Sequence, residues 1–123
     1  MTFYRCSHCG NIITFMENKG VPVICCGEPM KELIPGSTDA AQEKHVPVIL
    51  TEETRIRVSV GTAAHPMTAE HSIQWIALET DQGVSLRYLN PDQPPEAVFP
   101  LLPGEKVRAA YAYCNLHGLW MAS

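Results

Sequence analysis

The sequence is most restrictive in what it lacks. No apolar run approaches the ~18 residues that a membrane-spanning helix requires, and the N-terminus "MTFYRCSHCG" has no basic segment leading into an apolar one. No secretory signal is therefore expected, and the cytoplasm is the default location. Charged residues make up only 18% of the chain, the net charge is −4, and no basic stripe occurs. That balance argues against nucleic acid and against a membrane surface as partners. There is no internal repeat and no low-complexity segment. Helical periodicity is almost missing too: only "GSTDAAQEK" qualifies as a brief helix.

What is present is a β pattern. The chain has 123 residues, 46% of them apolar, enough for a real core. In "TRIRVSV", Ile56, Val58 and Val60 alternate with Arg55, Arg57 and Ser59, the period of a half-buried strand. "SIQWIALET" and "VSLRYLN" flank Asp81-Gln82-Gly83, which predicts a hairpin. "KVRAAYAYC" is expected to put Val107, Ala109, Tyr111 and Tyr113 on one face. "HVPVILT" and "AVFPLL" carry prolines, which place them at sheet edges or strand ends. Short strands between Pro and Gly turns predict an all-β chain, an antiparallel sandwich or barrel.

The chemistry-bearing residues fall in two zones on either side of Pro35, Gly36, Ser37, Thr38 and Asp39, which form a linker by composition. Cys6, Cys9, Cys25 and Cys26 lie before it. A reducing cytosol disfavours structural disulfides, so clustered cysteines there are metal ligands or redox groups. "CSHC" is a C-x2-C turn that lets two thiolates converge, and four thiolates suit tetrahedral zinc or iron. Spacing does not separate the two metals, and a vicinal-disulfide switch at Cys25-Cys26 is the competing reading. Neighbouring side chains of an extended segment point apart, so binding through both should distort the tetrahedron. His8, inside the turn, is expected to be exposed and not a ligand.

Beyond the linker stand His45, His65, His71, Cys114 and His117. A straight strand would hold His65 and His71 ~20 Å apart, but Pro66 interrupts "AHPMTAEH", and a folded loop brings both imidazoles to one point. Cys114-x2-His117 is itself a chelating turn, closed by Gly118. Four imidazoles and one thiolate are one ligand too many for structural zinc and too rich in nitrogen for an iron–sulfur cluster. They suit a square-pyramidal iron with sulfur on the axis and the sixth position open.

Five motifs in order, "CSHCGNI", "CCGEPM", "EKHVPVI", "VGTAAHPMTAEHSIQWI" and "CNLHGLW", resemble desulfoferrodoxin, the two-iron class of superoxide reductase, over nearly the whole chain. The resemblance implies a desulforedoxin-like module over residues 1–36, followed by an immunoglobulin-like β-sandwich over residues 37–123. It implies two mononuclear irons and neither haem nor flavin. One would be held by Cys6, Cys9, Cys25 and Cys26 in a distorted tetrahedron. The other would be held by His45, His65, His71 and His117, with Cys114 axial. It further implies one-electron reduction of superoxide to hydrogen peroxide, with Lys44 guiding the anion and organising the proton-donating water, and Glu43 capping the oxidised site. A small electron donor such as rubredoxin and a homodimer complete the expectation. Ala69, Leu50 and the short tail "MAS" depart from the common pattern without touching a ligand position. The competing functions are an electron carrier with two saturated irons, a zinc-stapled binding module, and a superoxide dismutase that would evolve O₂.

Overall fold

A computed structural model describes residues 1–123. The chain forms two compact units, Met1–Ile34 and Pro35–Ser123. Almost all its regular structure is antiparallel β, and no helix is long and apolar enough to cross a membrane.

In the first unit, β1 (Phe3–Arg5) lies between β2 (Ile12–Thr14) and β5 (Lys31–Glu32), with Tyr4 opposite Ile13 on one side and Glu32 on the other. A two-residue turn joins β3 (Ile24–Cys25) to β4 (Glu28–Pro29). Only Phe3, Cys6 and Met30 are buried here. A core of that size does not hold a fold by itself, and a metal clip or disulfide is the usual remedy.

The second unit is a sandwich. One sheet has the order β10 (Glu96–Pro100), β7 (Arg55–Val60), β6 (Pro47–Glu52). The other has the order β12 (Gly118–Ala122), β11 (Val107–Cys114), β8 (Ile73–Thr80), β9 (Val84–Tyr88). Pro47 opens β6 and Pro100 closes β10, on the two edge strands of the first sheet, where a missing N–H costs no ladder bond. The β8–β9 hairpin turns through Asp81-Gln82-Gly83, with the Gly83 carbonyl accepting from Thr80 N–H at 2.8 Å.

Between the sheets pack Ile56, Val58 and Val60 of β7, Phe99 of β10, Ile73, Ile76 and Leu78 of β8, and Ala110, Ala112 and Cys114 of β11. Full burial of a side chain such as Phe99 contributes about 1.5–3 kcal/mol. Of the four residues expected on one face of β11, Val107 packs against this core, but a bulge between Val107 and Ala109 separates it from the other three. Tyr111 and Tyr113 are also buried but lie on the other side, where Tyr113 stacks on Trp75 at 5.6 Å. Every residue from Ala109 to Cys114 is buried, so alternation in the sequence carries no polar face to choose by. A bulge at the end of the same ladder, between the Tyr113–Trp75 and Cys114–Ile73 pairs, leaves both Ile73 and Cys114 inside.

One helical turn, α1 (Gln42–His45), precedes β6 and overlaps the end of the segment expected to be helical. It is clamped by the turn after β7: Ala63 N–H donates to Glu43 O at 2.9 Å and Gly61 N–H to Val46 O at 3.0 Å. Gly61 has φ +84, and a Cβ there would collide with Ala63 O and lie 2.7 Å from Glu43 O and 2.8 Å from the Lys44 carbonyl carbon. All three are backbone atoms, so no side chain can swing away. Gly61→Ala is therefore expected to lower stability by about 1–3 kcal/mol and to displace α1. Urea unfolding checks this, and an unchanged midpoint would contradict the clamp.

Candidate metal centres

In the first unit the C-x2-C turn begins at the end of β1. Cys6 N–H donates to Asn11 O at 2.9 Å and Gly10 N–H to Cys6 O at 3.0 Å, which folds the chain tightly around Cys6. Cys9 N–H then points at Cys6 Sγ, 3.5 Å away. Cys25 and Cys26 come from the β3–β4 turn. Cys26 has φ +52 and Gly27 φ +78, the left-handed pair of a type I′ turn. A non-glycine residue in that conformation is uncommon. It is what turns Cys26 back to the same point as Cys25, the convergence that an extended vicinal pair would not allow.

The four sulfurs lie within 4.8 Å of one another, and Cys9 Sγ and Cys25 Sγ are 3.7 Å apart. A tetrahedron of that edge has its centre about 2.3 Å from each corner, the length of a metal–thiolate bond. The donor set fits a tetrahedral metal. The Cys9 and His8 amides hold the Cys6 thiol down at about 6. Hydrogen bonds from the Cys9 and Cys6 sulfurs push Cys25 up, and those from Cys6 and Cys9 push Cys26 to about 12. The Cys6 thiolate is thus ready, and Cys25 and Cys26 lose their protons on binding. His8 is half exposed and pairs with Glu28 at 3.2 Å, outside the cluster.

In the second unit the structure brings together His45 from the end of α1, His65 and His71 from the loop before β8, and Cys114 and His117 from the β11–β12 turn. The four imidazoles form a closed ring in the order 45, 65, 71, 117. Neighbouring centroids are 4.7, 4.7, 5.2 and 4.9 Å apart, and each pair is nearly perpendicular. His45 Nε2 lies 3.1 Å from His117 Nδ1 and 3.2 Å from His65 Nε2. A square with such edges has its centre about 2.2 Å from each nitrogen, close to a metal–imidazole bond.

Hydrogen bonding fixes which nitrogens carry protons. A carbonyl oxygen only accepts, so His45 Nδ1–H donates to Ala41 O (2.6 Å) and His65 Nδ1–H donates to Pro66 O (2.7 Å). In each neutral ring the other nitrogen, Nε2, is then a bare lone pair, and the two Nε2 atoms face each other at 3.2 Å. That contact is not a hydrogen bond. It is repulsive unless a cation sits between them, and the Nδ1-to-carbonyl bond is the usual outer support of a metal-bound imidazole. His71 Nε2 is likewise buried with no partner. Burial pushes His65 down to about 4 and lowers His71, with the nearby Lys44 ammonium among the smaller causes at His71.

Cys114 is fully buried and belongs to the sandwich core, so its sulfur approaches the ring from inside. It lies 3.8 Å from His117 Nδ1. Burial raises the Cys114 thiol, against the Leu116 and His117 amides that hydrogen-bond its sulfur. Glu43 and Lys44 are exposed on α1, immediately before His45. The sequence offers no sign of the Ala41 and Pro66 carbonyls, because main-chain atoms leave no residue signature. Trp120, inside the quoted motif but assigned nothing there, packs its ring 4.9 Å from His45 and donates to His117 O at 3.1 Å.

Known proteins share this arrangement of sequence and fold. Residues 37–123 match the family Desulfoferrodoxin, and residues 1–33 match Desulfoferrodoxin, N-terminal domain. The desulfoferrodoxin of Nitratidesulfovibrio vulgaris is 48% identical over 97% of this chain and 93% of its own. The superoxide reductase of Pyrococcus horikoshii is 41% identical, over 74% of this chain and 93% of its own. Among solved structures, the superoxide reductase from Treponema pallidum superposes with a TM-score of 0.84 at 37% identity, covering 99% of this chain and 98% of that one. With both cysteine and histidine clusters in place, the chain belongs to the desulfoferrodoxin family.

Proposed function

We propose that the chain is a superoxide reductase, with Cys6, Cys9, Cys25 and Cys26 holding one iron and His45, His65, His71, His117 and Cys114 the other. The observation that carries this reading is the ring of imidazole nitrogens with a single sulfur on its core side. Such a set leaves one face of the ring for substrate, and Lys44 and Glu43 lie at the exposed helical turn that supplies His45. Two relatives, from Pyrococcus horikoshii and Treponema pallidum, are themselves named superoxide reductases.

His45, His65, His71, His117 and Cys114 would hold an iron that supplies one electron and one open coordination position. The chain's own residues do the rest. Superoxide is an anion approaching a protein of net charge −4, so local positive charge must draw it in, and Lys44 provides it. The same ammonium orders the water that gives a proton to the reduced oxygen, for an overall uptake of one electron and two protons per superoxide. Glu43, exposed on the same turn, would offer a carboxylate to that iron once it is oxidised and so favour departure of peroxide. Cys114, whose sulfur accepts from the Leu116 and His117 amides, would lend electron density to that iron.

The chain divides in function as in sequence, an electron-relay module over residues 1–36 and a catalytic one over residues 37–123. Cys9 and Cys26 are exposed, which gives a small donor such as rubredoxin a short path to the first centre. A homodimer rests on the family resemblance.

Iron-loaded protein given a known amount of superoxide is expected to yield one peroxide per superoxide, consume reductant and release no O₂. Half that peroxide with O₂ evolved would make it a dismutase, and no consumption would make it an electron carrier. Lys44→Ala is expected to slow the second-order reaction by about 10-fold and to flatten its dependence on ionic strength. Pulse radiolysis reads both, and unchanged rates would remove Lys44 from the mechanism.

A further inference from the structure

Asn115 lies between Cys114 and His117 and has no part in the reading above. We propose that its side-chain amide is a positioning device for His71. The inference rests on the histidine ring being a metal site.

The other histidines are held through contacts of their own. The His45 and His65 rings donate through Nδ1 to the Ala41 and Pro66 carbonyls, and His117 is held at its backbone, where its carbonyl accepts from Trp120. The His71 ring has no such anchor: its Nε2 is buried without a partner, although the residue as a whole is half exposed. Its place in the ring depends on where its backbone is held. Thr68 contributes locally, accepting from His71 N–H at 3.1 Å and donating to His71 O at 3.2 Å. That contact closes the loop on itself and does not locate it against the other donors.

Asn115 makes the link across. Its Oδ1 accepts from Ser72 N–H at 3.0 Å and its Nδ2 donates to Glu70 O at 2.9 Å. The two bonded groups belong to the residues on either side of His71. One planar carboxamide thus grips the backbone before and after the histidine, and its own main chain adds Asn115 N–H to Ser72 O at 3.3 Å. The β8–β11 ladder ends at Cys114 and Ile73, and Ala69 and Glu70 beyond it are exposed. Because Asn115 sits inside the turn that carries Cys114 and His117, it sets His71 in register with both. Removal of a group that orients a metal-binding side chain typically weakens metal affinity 10–100-fold.

The test is anaerobic competition for ferrous iron against a chromophoric chelator, with the four-cysteine centre of the same chain as internal reference. Asn115→Ala is expected to weaken the histidine centre about 10- to 100-fold, to alter its ferric paramagnetic resonance spectrum, and to leave the cysteine centre unchanged. In a His71→Ala background the same substitution is expected to change affinity by less than about twofold, since its effect runs through His71. Affinity and spectrum equal to wild type, or the same penalty with and without His71, would overturn the proposal. Should Asn115→Ala fail to fold, Asn115→Asp carries the test: it keeps the acceptor for Ser72 and sets an oxygen against the Glu70 carbonyl, so the same weakening is expected. A wild-type chain that loads only the cysteine centre would instead refute the metal-site reading.

Discussion

Two lone pairs pointed at each other constrain the second unit more than any other contact. His45 and His65 each spend their only proton on a backbone carbonyl, and this leaves their Nε2 atoms facing at 3.2 Å. Neutral imidazoles do not hold such a geometry for its own sake. The surrounding sandwich enforces it: α1 is clamped by the turn around Gly61, and His65 sits buried at the start of its loop. The fold therefore stores an arrangement that a cation relieves, and binding and folding are coupled through it.

The two units reach a metal-ready state by different routes. The first has almost no core, and four sulfurs converge at the ends of very short strands. Its one conformational cost, the left-handed Cys26, is local to the turn that delivers the second pair of sulfurs. The second unit has a full core, from which Cys114 rises as a member. Its imidazoles are contributed by three separated segments, so their alignment rests on tertiary structure. One centre is a staple that completes a small fold, and the other is a site mounted on a fold that already has its core. The proposed relay and catalytic roles divide along the same line.

Much of this was legible in the sequence. Ile56, Val58 and Val60 announced their strand and its buried face, the prolines of β6 and β10 marked edge strands, and C-x2-C announced a convergent turn. The histidines and Cys114 were separable from ordinary residues because Cys114-x2-His117 is a chelating spacing and Pro66 bends the loop between His65 and His71. Elsewhere the pattern was silent for physical reasons. Strand β11 is apolar on both sides, so its pattern does not say that Ala110, Ala112 and Cys114 face inward, and no residue type announces the bulge on β8 that keeps Ile73 inside beside Cys114. The turn conformation that brings Cys25 and Cys26 to one point is visible only as a dihedral angle. The carbonyls of Ala41 and Pro66 are main-chain atoms, and the Asn115 bridge joins positions 43 and 45 residues apart.

Backbone carbonyls fix the imidazole tautomers so that the bare nitrogens converge. Long-range nitrogen–proton NMR on zinc-substituted protein, in which the histidine centre is diamagnetic, measures this directly. The expected result is a proton on Nδ1 of His45 and His65, with Nε2 of each bound to metal, and Nδ1 of His117 bound instead of its Nε2. A proton on Nε2 of either His45 or His65 would contradict the account.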